Sequence, residues 1–147
     1  MAAGRTYTPI ATYTASGSSN NISFSSVPST YTDLVLVISG RSTVAASTTQ
    51  AIMVLNGDAT GTSYSNTLLK GNGSAASSSR NSNYAQLYFM NDIPGVSATG
   101  NYFSVVNVSF QNYSNTTTYK TIIARNAAPS DSTDALVGLW RSTAAIN

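Results

Sequence analysis

The sequence is defined first by what it lacks. Its 147 residues contain no Cys, no His and, along their whole length, no Glu. Only 8% of the residues are charged. Without Cys there are no disulfides, no thiolate nucleophiles and no Cys-ligated metals. Without His the commonest general base and metal ligand is missing, and with it any Ser-His-Asp arrangement. Without Glu, the side-chain carboxylates are Asp33, Asp58, Asp92, Asp131 and Asp134. Most enzyme mechanisms that can be read from sequence are thereby excluded, and no cofactor is implied. The longest apolar runs fall far short of the ~20 residues a membrane helix needs, so no membrane partner is expected. The start, MAAGRTYTPI, lacks the apolar stretch of a secretory signal, so export by that route is not expected.

Charge excludes a further class. The net charge of +2 comes from seven scattered cations: Arg5, Arg41, Lys70, Arg80, Lys120, Arg125 and Arg141. No two are adjacent. Counterion-driven nucleic-acid binding needs several phosphate contacts in one patch, so no nucleic-acid partner is expected.

What the chain has in abundance is Ser, Thr and Asn, roughly two fifths of the residues, well above ordinary globular usage. Nine of its fourteen aromatics are Tyr. A hydrophobic fraction of 41% is enough for a core, so the composition is not that of a disordered chain. Together these describe one folded domain with a neutral surface rich in hydroxyls and amides.

The apolar residues form short runs bounded by Gly, Asn, Ser and Pro. Ile22 and Phe24 alternate with Ser23 and Ser25, the period of a strand. Leu34 to Ile38 is an unbroken apolar run rich in β-branched residues and reads as a strand buried on both faces. Residues 51–55 form another, stopped by the Asn56-Gly57 turn signal. Further strands are expected at 64–69, 84–90, 102–110 (the longest), 119–124 and 135–140, with one more beginning at 144–146. Residues 71–83 are Gly, Ser and Asn with almost nothing to bury, and read as a surface loop. No window carries a helical stripe with caps. Eight or nine antiparallel strands indicate an all-β sandwich, jelly-roll-like, over residues 15–147, preceded by an extended arm at 1–14. The expected core is Leu34, Leu36, Ile38, Ile52, Val54, Phe103, Val105, Val108, Ile122, Leu136 and Trp140.

Candidate chemistry is sparse. Lys70 and Lys120 read as solvated residues that blunt strand edges rather than as bases for a Ser nucleophile. Asp131 and Asp134 read as loop residues. A pair of them could serve glycoside hydrolysis only across a cleft, and the multi-carboxylate loop of a Ca²⁺ site is missing, so no metal is assigned. The Tyr residues carry two readings: half-buried sheet residues with a hydroxyl at the rim, or a recognition surface for sugars. On the second reading the ligand or partner surface comprises Tyr64, Asn72, Arg80, Tyr84, Tyr88 and Tyr113.

Five segments are more specific than the composition: ISFSSVPSTYTDLVLV at 22–37, NYSNTTTYKT at 112–121, GLWRSTAAI at 138–146, LNGD at 55–58 and LLKGNGS at 68–74. As a set they resemble small virion structural proteins of tailed bacteriophages, particularly of aquatic and cyanobacterial hosts. The resemblance covers nearly the whole chain. It implies a non-enzymatic β-sandwich on the virus particle, made in the host bacterial cytoplasm. Its implied partners are other virion proteins of capsid or tail, in a homo-oligomer of trimeric type. The pattern usually continues past WRSTAAI with another strand or two, whereas Asn147 follows here at once, so either the sequence is shorter than that pattern or a final strand is supplied by a neighbouring subunit. Three functions stay open: a capsid decoration or cement protein, a tail-fibre module that contacts host surface glycans, and a lectin or carbohydrate-active enzyme outside any virus.

Overall fold

A computed structural model of the chain describes residues 7–17, 21–128 and 132–147. It is all-β, with eight antiparallel strands and no helix among the described residues. The strands are β1 (Leu34–Gly40), β2 (Thr48–Met53), β3 (Tyr64–Gly71), β4 (Ala76–Tyr84), β5 (Leu87–Pro94), β6 (Ser104–Phe110), β7 (Lys120–Ala128) and β8 (Ser132–Trp140). Six form one sheet in the order β1-β6-β7-β8-β3-β4, and β2 pairs with β5 in a second. The small sheet packs on the large one as a β-sandwich, with β5 lying against β3, β6, β7 and β8.

Alternation explains which residues meet. On β7 and β8 every second side chain is buried, as expected when one face of an antiparallel sheet meets a core and the other meets water. Val108, Ala124 and Leu136 share one register row, and Phe110, Ile122 and Gly138 the next. The core is completed by Leu55, Tyr64, Leu87, Phe89, Met90, Val106, Tyr113 and Trp140. Tyr64 and Trp140 are register partners whose rings stack with centroids 6.4 Å apart. Gly138 leaves room for the Leu87 side chain in this packing. A Cβ there would stand 2.7 Å from a methyl of Leu87, itself fully buried.

Several expectations are corrected. Leu34 to Ile38 is not buried on both faces: Val35 and Val37 point to solvent, and Leu34, Leu36 and Ile38 are half-buried against the core. An edge strand has a neighbour on one side only, and the small sheet has two strands with which to cover six. Ile52, Val54, Phe103 and Val105 are exposed. For Val105 the register decides, since its neighbours Ser104 and Val106 take the inward positions. Val108, Ile122, Leu136 and Trp140 are buried as expected. The longest strands are β4, β7 and β8, not β6.

Residues 71–83 are not a loop. Most of them form β4, the outermost strand, paired with β3 from Gly71↔Ala76 to Tyr64↔Tyr84. Its exposure made it look like a loop, and pairing rather than burial makes it a strand. Conversely, Ile22 to Ser25 belongs to no strand, and neither does Ala144 to Ile146. Ile146 is nevertheless buried, and its N–H donates to the Tyr113 carbonyl at 3.0 Å.

Lys120 is not solvated. It is fully buried, and its ammonium donates to the carbonyls of Asn115 at 2.6 Å, Thr118 at 2.8 Å and Thr143 at 3.4 Å. Desolvation lowers its pKa. One charge thus ties the loop before β7 to the segment after β8.

Candidate functional surface

Two features of the sandwich carry more chemistry than packing requires. The first is the outer face of the large sheet. Register places Val35, Ser109, Ile123, Val137, Thr67 and Arg80 in one row across all six strands. The next row runs Val37, Asn107, Arg125, Ala135, Leu69 and Ser78. A solvated sheet face is ordinarily polar at these positions. Here Val37 is 63% exposed, Leu69 59% and Val137 55%. Ile123 and Val137 are direct cross-strand partners, and Leu69 stands diagonally beside Val137, so they form a contiguous apolar patch. Contiguous exposed apolar surface marks interaction sites more often than isolated valines do. The charged side chains in these two rows are Arg80 and Arg125, both cationic. Arg80 borders a shallow depression with Ser65, Thr67, Thr121 and Val137.

The second feature is a buried polar cluster where β3, β5, β7 and β8 meet. Asp92 accepts a hydrogen bond from the Ser132 hydroxyl at 2.6 Å and lies 2.7 Å from the Lys70 ammonium. The Ser132 hydroxyl also lies 3.3 Å from Asp134 Oδ1, and the Asn126 amide donates to the other oxygen of Asp134 at 3.4 Å. Asn126 is 3% exposed, and its side-chain oxygen has no partner among the described residues. Burial pushes the Asp134 carboxyl above its ordinary pKa, so its proton is held more tightly than in water. Lys70 neutralises Asp92, and burial disfavours the charged form of Asp134. The cluster is a polar plug within an apolar sandwich.

These positions correct the sequence reading of both residue types. Lys70 is an ion-pair partner rather than a solvated edge lysine. Asp134 is an inward-facing residue of β8 rather than a loop residue. Asp131 lies outside the described residues. Asp92 and Asn126 carried no signal, because one buried Asp or Asn looks the same in sequence as the many exposed ones.

Of the six residues expected to form a ligand surface, Tyr64 and Tyr113 do not. Both are fully buried. The Tyr64 hydroxyl accepts the Leu55 N–H at 2.8 Å, and the Tyr113 hydroxyl donates to the Pro28 carbonyl. Their tips are used to fix chain segments over the core. The Asn72 side chain is spent on its own turn, accepting the N–H groups of Ser74 at 3.0 Å and Ala75 at 2.8 Å. Tyr84 and Tyr88 are brought together edge to face at 5.6 Å, and Gln86 donates to the Tyr88 hydroxyl at 3.0 Å. Arg80 sits on the same strand as Tyr84, at the rim of the outer face.

Comparison of the chain with protein-family models, with curated proteins and with solved structures returns no match.

Proposed function

We propose that this chain is a non-enzymatic, jelly-roll-like structural protein of a bacteriophage virion, displayed on the particle as a capsid decoration or cement protein. The observation that carries the reading is the outer sheet face: an exposed surface with Ile123, Val137 and Leu69 in one apolar patch, and Arg80 and Arg125 as the charged residues of its two rows. A decoration protein has to lie on a lattice and bury such a face against it. The resemblance of residues 22–37, 112–121 and 138–146 to phage virion proteins supports the same reading. The proposed partners are other virion proteins and further copies of the chain, in a trimer of the kind usual for such coats. Particles lacking the protein should lose heat resistance, and the purified protein should restore it. Particles whose melting is the same with and without the protein would refute the reading.

A second reading, a tail-fibre or receptor-binding module, draws on the Tyr84–Tyr88 pair and on Arg80 beside its depression. An exposed Tyr84 ring beside a half-buried Tyr88, and a guanidinium, are suited to stacking on and hydrogen bonding to host surface glycans. Binding of the purified chain to host polysaccharide, abolished by Arg80→Ala or Tyr88→Ala, would favour it. Antibody label on the tail rather than the head would do the same.

A further inference from the structure

We propose that residues 22–25 of one copy, in the exposed segment that follows the arm at 1–14 and precedes β1, add a strand to the open edge of β1 in a second copy. The inference does not depend on the virion reading, because it concerns the purified chain alone.

Two unsatisfied elements motivate it. The first is the edge itself. Among the described residues β1 pairs only with β6, on one side. An edge strand leaves a row of N–H and C=O groups directed outward, and proteins usually protect it with Lys, Pro or a bulge. β1 has none of these. Its sequence is LVLVISG, its register with β6 is unbroken over seven pairs, and Asp33 and Arg41 flank it rather than interrupt it. Both its faces are incompletely covered. Val37 stands 63% exposed outside, and Leu34, Leu36 and Ile38 are only half-buried inside. An added strand would satisfy the outward backbone groups and cover side chains on both faces at once, the mode of β-augmentation.

The second element is the segment that precedes β1. Residues 7–17 and 21–26 are exposed at every position. Ile22 is 50% exposed and Phe24 40%, alternating with Ser23 and Ser25 in the period of a strand, and the segment belongs to no strand among the described residues. The segment carries no charge to oppose docking on an apolar edge. Its own β1 is not the natural acceptor. The connection that would have to turn back, residues 28–33, is anchored elsewhere: the Pro28 carbonyl accepts from the Tyr113 hydroxyl, the Tyr31 carbonyl from Ser114, and the Asp33 carboxylate from the Asn112 N–H. Val27 is packed on the core, and Ser26 is held at φ 58°, which breaks extended backbone just before it. The chain thus offers a strand and an edge that do not meet within one copy. Exchange between copies joins them, and the operation closes as a dimer or a small ring.

The chain has no Cys, which permits a direct test. Two preparations with distinguishable tags, one Phe24→Cys and the other Val37→Cys, are mixed and oxidised. A mixed disulfide-linked dimer is expected, with yield reduced at least tenfold when Val27→Cys replaces Phe24→Cys. Native mass measurement of the unmodified full chain should give two or more copies. Removal of residues 1–26, or the double change Ile22→Asp and Phe24→Asp, should reduce this to one. Val37→Lys, exposed and therefore harmless to a single copy, should do the same from the other side. A monomeric full chain, or an oligomer of unchanged mass after these changes, would overturn the proposal. A disulfide formed within one copy of a Phe24→Cys, Val37→Cys double variant, with a monomeric mass, would show that the segment folds back on its own β1, and would also overturn it.

Discussion

The sharpest single-residue prediction concerns Asp58. The residue ends the Asn56-Gly57 turn, where Asn56 at φ 51° and Gly57 at φ 70° hold the left-handed conformation. Its carboxylate reaches from that turn to the end of β8. It accepts the Trp140 indole N–H at 2.7 Å and the Thr60 N–H at 3.1 Å. Trp140 is fully buried, and the acceptor of its indole N–H is the partly buried Asp58. A hydrogen bond to a charged acceptor contributes about 1.5–3 kcal/mol. Asp58→Ala is therefore expected to cost about 2–3 kcal/mol, and Asp58→Asn, which keeps an acceptor but loses its charge, about 1 kcal/mol. The hydrogen bond from Trp140, with those from Ser63 and Thr60, lowers the carboxyl pKa from 3.8 to about 2. A folded pKa below the unfolded one gives stability that is present above 3.8 and lost as pH falls towards about 2. Trp140 is the only Trp, so urea unfolding followed by its emission reads the site directly. The stability gap between wild type and Asp58→Asn should be constant from pH 7 to pH 5 and close as pH falls towards 2. A gap that stays the same across that range would refute the reasoning.

Three further outcomes test the register and the buried charges. Ile122 is fully buried and Ile123 faces out, so Ile122→Ala should cost about 2–5 kcal/mol and Ile123→Ala well under 1 kcal/mol in a denaturant titration. Equal costs would mean that β7 is inverted. Lys120→Met keeps the apolar stem and removes the donor to three carbonyls; it should cost about 2–4 kcal/mol in thermal melting. Asp134 has its pKa raised by burial, so its folded form holds a proton more tightly than its unfolded form, and stability falls as pH rises from 3.8 through the folded pKa. Asp134→Asn should therefore be more stable than wild type at pH 7 and lose that advantage below pH 4. No pH-dependent difference would show that the carboxyl is not desolvated.

How much of this was legible in the sequence depends on which forces act where. The strands read at 102–110, 119–124 and 135–140 announce themselves because burial on one face imposes period two, and Val108, Ile122 and Leu136 fall where that period places them, whereas Val105 faces out and Asp134 belongs to β8. β4 is silent because ASSSRNSNY buries almost nothing; only its hydrogen bonds to β3 make it a strand. β1 is misread because an apolar run has the same appearance whether a second layer covers it or not. Ile22 to Ser25 is misread for the opposite reason: its pattern is that of a strand, but it pairs with no edge among the described residues. The site residues divide in the same way. Exposed Arg80 and the Tyr84–Tyr88 pair are found by residue type. Asn126 and Asp92 are not, since only the fold brings them to Ser132 and Asp134. Tyr64 and Tyr113 mislead because a Tyr can place its ring in a core and still satisfy its hydroxyl.

The central claim is that this sandwich is a coat component whose outer face lies against other copies or other virion proteins. A cryo-EM map of intact particles encoding the chain tests it most directly. The account predicts eight-stranded sandwich density at repeated positions on the head, with the row Ile123–Val137 turned towards a neighbouring protein. Particles that contain no copy of the chain, or copies with that face fully in solvent, would contradict it.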